Sequence, residues 1–278
     1  MKPQCRGLVK GFVISLKSNM EEKVIDTILK SFPSISLSEM EGVRLMNRID
    51  TKYTTTSEQL VCFLRLLQKD YYIQEINGKR VSPYRTVYLD TPGLSMYLAH
   101  QNGRKTREKI RMRSYIDSCR TFLEIKDKNN KGRTRKVRMP LSSMNSYLVT
   151  EAEVFLYEHA SFQLQDLTLQ VENQFNRITL VNREKTERLT IDTDLCFRHL
   201  SSGKEQSLPG LVIIELKQDG NIPSRAKVNL SQLHIHPVSI SKYCLGMLLT
   251  NPEAKRNRFK KKLTQINKLA NYSYGYII

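Results

Sequence analysis

The phase of the charges is what most narrows the folds open to this chain. A β-strand sends successive side chains to opposite faces, so residues at i, i+2 and i+4 share one face. In residues 107–113 the odd positions are Arg107, Lys109, Arg111 and Arg113, with Ile110 and Met112 between them. Three further runs place an acid two residues before a lysine: Asp50/Lys52, with Arg48 in phase ahead of it, Glu124/Lys126 and Glu215/Lys217. Ile49 and Thr51, Leu123 and Ile125, and Val212, Ile214 and Leu216 fall on the other side. A sheet built from such strands has one charged face and one apolar face.

Short alternating runs predict strands over residues 46–54, 71–76, 84–90, 107–115, 121–128, 132–139, 167–180, 187–197 and 211–217. Helical periodicity interrupts them at 57–69, where Leu60, Phe63, Leu64 and Leu67 share a face, at 94–102 and at 142–160. A further helix is expected at 241–249, and one ahead of Pro33 over 21–32. Asn77-Gly78 and Asn130-Lys131-Gly132 signal hairpin turns. The pattern predicts a mainly β (α+β) protein: an antiparallel β-barrel or tunnel with flanking helices.

Which face turns inward decides the chemistry. An ordinary half-exposed sheet would leave the charges in water, where each Lys–Glu pair contributes ~0–1 kcal/mol. The helices need an apolar sheet face to cover, however, and a closed barrel supplies that on its outside and turns the charges onto a lumen. The 278 residues hold 45 Lys+Arg against 27 Asp+Glu, a net charge of +18, which calls for a polyanionic partner. Cations crowded in a lumen need an anion to fill it, and phosphate oxygens suit Arg and Lys donors. Carboxylates in the same place make sense as ligands of Mg²⁺ or Mn²⁺, which bridge carboxylate and phosphate.

These residues resemble a family. RIDTKY (48–53), YRTVYLDT (84–91), KIRMRSY (109–115), FLEIK (122–126), KGRTRKVR (131–138), NRITL around Arg177, LTIDTDL (189–195), IIELK (213–217) and SISKY (239–243) stand in the order found in VTC-type polyphosphate polymerases. Those are a branch of the triphosphate tunnel metalloenzymes, and the resemblance spans about residues 40–250. It implies a β-tunnel open at both ends and transfer of the ATP γ-phosphate onto inorganic polyphosphate, with ADP released. By the same resemblance Lys52, Arg111, Arg113, Lys126 and Arg177 form the catalytic set, and Lys136, Lys242 and Ser241 hold phosphates. Arg48, Lys109 and Lys217 join them on the shared strand faces. Glu215 is the metal ligand and Glu124 a second acidic position, with Mn²⁺ or Mg²⁺ as cofactor. ATP, pyrophosphate and polyphosphate are the expected partners. The wider superfamily opens with Glu-x-Glu-x-Lys; Arg48, Asp50 and Lys52 stand there instead, which resembles the polymerase branch more than the hydrolytic one.

The remaining expectations are exclusions and boundaries. Residues 1–40 read as a helical lead-in, 41–250 as the tunnel domain and 251–278 as a basic tail, whose run Lys255–Lys262 reads by default as a solvated tail or helix face, with membrane association through it left open. The phosphate-sensing domain and membrane helices of eukaryotic relatives have no counterpart in these residues. No stretch has the ~20 apolar residues of a membrane helix, no signal peptide stands out, and a cytoplasmic location is expected. The five cysteines are scattered, without a CxxC pair, and His234 and His236 lack a third ligand, so neither a disulfide framework nor zinc is expected. There is no GxxxxGK[ST] motif. Two competing functions keep some of these features: a tunnel triphosphatase with water as acceptor, and a non-enzymatic binder of polyanions or nucleic acid. The latter calls for exposed aromatics among the basic residues, whereas Tyr84 and Tyr88 read as packing residues; no specific nucleic acid is expected.

Overall fold

The computed structural model describes residues 23–40 and 48–270, and for Arg48 the backbone alone. The start of the first expected helix, Met46 of the first expected strand, Cys5 and the last residues of the basic tail lie outside the described residues.

One eleven-stranded sheet organises the chain. Its main path runs β2 (Arg48–Thr56), β11 (Leu211–Asp219), β9 (Glu187–His199), β8 (Thr168–Asn182), β4 (Ser82–Asp90), β5 (Ile110–Tyr115), β6 (Arg120–Lys128), β7 (Thr134–Leu141). Off the path, β3 (Tyr71–Gln74) pairs with β8 and with β1 (Ser34–Ile35), and β10 (Glu205–Leu208) pairs with β9. Only β1–β3 is parallel. The two ends of the path, β2 and β7, share no ladder. The sheet is therefore a curled tunnel wall with flanking helices, as expected from the sequence, its two edge strands left unjoined.

The apolar face is covered, as the phase of the charges requires. On one half lie the helix at residues 23–30, here α1, together with α3 (Ser57–Leu67) and α6 (Arg225–Gln232). Leu60, Phe63, Leu64 and Leu67 of α3 pack with Ile178, Leu180, Ile191, Val212, Ile214 and Leu216 in one core; full burial of each such side chain is worth ~1.5–3 kcal/mol. The Thr56 hydroxyl caps α3 by accepting from the Gln59 N–H at 3.3 Å. On the other half α5 (Thr150–His159) sets Ala152 and Leu156 against Val87, Ile110, Met112, Leu123 and Ile125. The short helix α2 (Leu37–Met40) contributes Met40 to a small cluster with Ile35 and Val181.

The opposite face is divided. α7 (Lys242–Thr250) packs on it between β8 and β9, stacking Tyr243 on Tyr88 with ring centroids 5.1 Å apart. Gly246 makes this approach practicable, because a Cβ there would stand 2.7 Å from Cδ1 of Phe197. Asp90, fully buried, accepts the N–H groups of Met96 and Tyr97 in α4 (Ser95–Gln101) and the Tyr243 hydroxyl, and so ties α4 to α7. Phe259 and Ile266, the latter in α8 (Lys260–Leu269), complete this core. The run Lys255–Lys262 is thus partly a packed element of the fold. The segment before α7 spans the open side of the sheet: the Val238 N–H donates to the Lys52 carbonyl at 2.7 Å, and Ser241 Oγ accepts from Lys109 Nζ at 3.2 Å.

Candidate active site

The remainder of the charged face encloses a cavity of about 820 Å³. Its lining includes Lys52 of β2 and Lys136 of β7, the two ends of the sheet path, so the curled wall brings both edges to one lumen. Lys109, Arg111, Arg113, Lys126, Arg177, Glu215, Lys217, Ser241 and Lys242 line it as well. Glu124 lies just behind the surface, 1% exposed. The sequence-predicted residues are therefore together, with one exception: the Arg48 side chain lies outside the described residues.

Strand register builds the site. Lys52 stands directly across from Glu215, Arg111 from Glu124, Lys126 from Lys136 and Arg177 from Asp192. Three carboxylates each gather two cations. Glu215 accepts Lys52 and Lys217, both at 3.0 Å. Glu124 holds Arg111 at 2.7 Å and also Lys136. Asp192, 2% exposed, takes Arg177 through two bonds of 2.6 and 2.8 Å and also Lys242. Lys109, Arg113 and Lys126 have no carboxylate at ion-pair distance among the described residues; Arg113 donates to Thr86 Oγ1 at 3.2 Å and lies over the Tyr84 ring.

The electrostatics follow from this sharing. Burial pushes the Glu124 carboxyl up, but Arg111, Arg113 and Lys136 overcome it and hold the group at about 2. Burial likewise opposes, and Lys217 and Lys52 outweigh it, at Glu215, which sits well below the usual carboxylate range. Asp192 is held down against its burial by Arg177 and Lys242. The lysines move the other way. Burial lowers Lys136, Lys217 and Lys242 to about 8 in spite of their carboxylate partners. Lys109 is brought to about 8 by burial, with Lys126, Arg107 and Lys52 adding repulsion. Burial thus disfavours the charge on these lysines, and an anion bound beside them would favour it.

Several lining residues escaped the sequence reading. Arg120 and Phe122 continue the Glu124/Lys126 phase, Arg138 continues Lys136, and Arg188 continues Thr190 and Asp192, so the i+2 rule extended along each strand would have found them. Asp192 had no such signal as a partner, because its role depends on the register of β8 with β9. Tyr84 and Tyr88, read from sequence as packing residues, line the cavity as well as packing. Tyr84 stacks on Phe175 at 5.3 Å, and Arg177 lies 4.8 Å from its ring centroid.

The fit of a divalent metal can be judged from the donors. Among the described residues no three acidic, histidine or cysteine side chains converge on one point. Glu215 lines the lumen, as does Asp50, but its carboxylate oxygens now face two ammonium groups. Such a donor suits Mg²⁺ or Mn²⁺ only when phosphate oxygens and water supply most of the coordination, which is the usual habit of Mg²⁺. Glu124, buried behind Arg111 and Lys136, is a structural counter-ion in this arrangement.

Among solved structures, the chain is similar in path to a proposed adenylate cyclase of Vibrio parahaemolyticus, at 12% identity and a TM-score of 0.44, over 73% of this chain and 99% of that one. It is similar also to a proposed adenylyl cyclase of Hippeastrum with a dominant triphosphatase activity, at 12% identity and a TM-score of 0.48, over 72% and 95% of the two chains. A conserved protein of Pyrococcus furiosus matches at 13% identity and a TM-score of 0.40, over 71% and 99%. No curated protein matches the sequence. Among the described residues no helix is long and apolar enough to cross a membrane. The VTC domain profile matches residues 47–251, the stretch that holds every strand of the main path and all three shared carboxylates, and the chain thus belongs to the VTC domain family.

Proposed function

We propose that the chain is a polyphosphate polymerase, transferring the γ-phosphoryl group of ATP to the end of a growing polyphosphate chain within the lumen. Family membership carries the coarser part, a tunnel enzyme of polyphosphate-related chemistry. The choice of acceptor rests on one observation: Glu215, Glu124 and Asp192 are each already shared between two cations and held far below neutrality. Water attacking phosphorus must lose a proton, and these carboxylates make poor bases for it. A terminal phosphate oxygen arrives deprotonated and needs none.

The residues divide the work accordingly. An acceptor oxygen forms a bond to the γ-phosphorus, the bond from that phosphorus to the β-bridging oxygen breaks, and ADP leaves with the electron pair. Arg111, Arg113, Lys126, Lys52 and Arg177 hold the oxygens of donor and acceptor in line and offset their charge, which is most of what phosphoryl transfer needs from a protein. Lys109, Lys136, Lys217, Ser241 and Lys242 extend the track for further phosphates. Arg48 is in phase with Lys52 in the sequence and would join them. Glu215 would hold Mg²⁺ or Mn²⁺, which supplies charge neutralisation between phosphates when bound. ATP, pyrophosphate and polyphosphate are the ligands this track would accept.

The test is product analysis with γ-labelled ATP and Mn²⁺ or Mg²⁺. The reading expects label in a lengthening acid-insoluble polymer, with ADP formed in step. Label released only as orthophosphate would instead make the protein a triphosphatase.

A further inference from the structure

A group of cations next to the lumen is left unused by the phosphoryl-transfer reading. Beyond the end of β5, Arg107 and Lys128 exchange backbone hydrogen bonds of 3.0 and 2.9 Å, one side-chain step past the Lys109–Lys126 pair, which does the same. Two residues along a strand cover about 7 Å, so Arg107 continues the Lys109 row outward and Lys128 the Lys126 row. A second, small cavity shares Ile240 and Ser241 with the lumen and has Lys262 and Phe259 in its wall. Lys262 rests over the Phe259 ring, 5.6 Å from its centroid.

Arg107, Lys109, Lys128 and Lys262 thus form a continuous group from the lumen to the outer surface. Among the described residues none of the four has a carboxylate at ion-pair distance. The acids beside them in sequence face elsewhere: Glu108 accepts the Ser161 N–H at 3.1 Å, and Asp127 pairs with Arg135 at 2.9 Å. His100 reports the same imbalance. Its Nδ1 is buried without a partner, and burial lowers the imidazole to about 3, with Lys109, Arg107, Lys262 and Lys128 all pushing in the same direction. Some other cations are paired, Lys79 with Asp117 and Arg80 with Glu75.

We propose that this cation group is an outer binding track for linear polyphosphate, engaging the part of a long chain that extends past the lumen. The proposal rests on the tunnel reading, since it takes the lumen as the origin of the chain. Four cations with no carboxylate at ion-pair distance among the described residues, continuous with a phosphate-binding row, fit a flexible polyanion of regular charge. The track gives long chains a hold that triphosphate, confined to the lumen, does not use.

The test is equilibrium binding of tripolyphosphate and of long-chain polyphosphate, without ATP or turnover, to the wild type and to the triple variant Arg107→Gln/Lys128→Gln/Lys262→Gln. The wild type is expected to bind the long chain about tenfold more tightly than tripolyphosphate, and the variant to lose that advantage while keeping its tripolyphosphate affinity. The slope of log affinity against log salt for the long chain should fall by about 2, as expected for three lost phosphate contacts. A variant that retains the long-chain advantage overturns the track and leaves the lumen standing. A wild type that binds neither phosphate overturns the lumen reading and the track together. A wild type that prefers duplex RNA, with that preference lost in the variant, would make the patch a nucleic-acid surface and overturn the proposal.

Discussion

Glu215, Glu124 and Asp192 each neutralise two cations, so replacing any one of them frees charge in a confined space. Glu215→Gln leaves Lys52 and Lys217 without this carboxylate and removes the lumen carboxylate proposed to hold a metal. Its turnover is expected to fall by about 10² or more, measured as ADP formation, while circular dichroism shows an intact fold; near-normal turnover would remove Glu215 from the reaction. Asp192→Asn strands Arg177 and Lys242. Breaking a buried pair from one side costs ~3–5 kcal/mol, so denaturant unfolding should show a loss of that order, larger than for the more exposed Asp127→Asn, whose partner Arg135 is 56% exposed. Added phosphate should recover part of the Asp192→Asn loss.

The pH dependence is also set residue by residue. Lys109 and Lys242 lose their protons near pH 8 in the folded protein, against an ordinary value of 10.5. Between those limits the unfolded chain holds more protons than the native one, so their contribution to stability rises with pH across that window and is lost as pH falls through 8. Phosphate binding favours the charged lysines and should therefore weaken as pH climbs above 8. Long-chain polyphosphate affinity measured at pH 7 and pH 9.5 should decline, and the decline should shrink in Lys109→Met. An undiminished decline in that variant would place the titration elsewhere.

At the scale of elements, α7 is the part whose position matters most, since Ser241 and Lys242 at its start enter the lumen. Gly246→Ala adds a Cβ 2.7 Å from Phe197 and 3.0 Å from Val171. Overpacking of this kind costs ~1–3 kcal/mol; the melting temperature should drop, and phosphate affinity should drop with it as Lys242 shifts. Alanine at Gly203, which has open space around its Cβ position but a φ of +69°, should affect stability without affecting phosphate affinity.

The strands were legible because one-side burial enforces strict alternation, and the Asn77-Gly78 turn because both residues adopt positive φ (50° and 76°), as the dipeptide suggests. Residues 142–149 were expected to be helical, and α5 begins only at Thr150. There Ser142 and Ser143 both bond the Ser146 hydroxyl, and Ser143 Oγ takes the Asn145 N–H, satisfying locally what a helix would otherwise satisfy. α6 escaped notice because Ala226 and Leu230 are its only buried apolar side chains. The cations of the lumen could be read from phase, but their pairing could not, since Arg177–Asp192 and Lys52–Glu215 are partners only through strand register.

For the whole molecule, a net charge of +18 gathered partly on one concave face means that the folded state carries self-repulsion which anions relieve. A ligand at 100 times its dissociation constant adds ~2.7 kcal/mol to unfolding stability, equivalent to about 5–10 °C in melting temperature for a chain of this size. The central claim, that the in-phase cations form a phosphate-binding lumen, is tested most directly by the melting shift with tripolyphosphate in three proteins: the wild type, Lys52→Ala/Arg113→Ala, and Arg85→Ala, whose arginine pairs with Glu172 outside the cavity. The account predicts a shift of several degrees in the wild type and in Arg85→Ala, and its loss in the double variant. An equal shift in all three, or a shift lost only in Arg85→Ala, would contradict it.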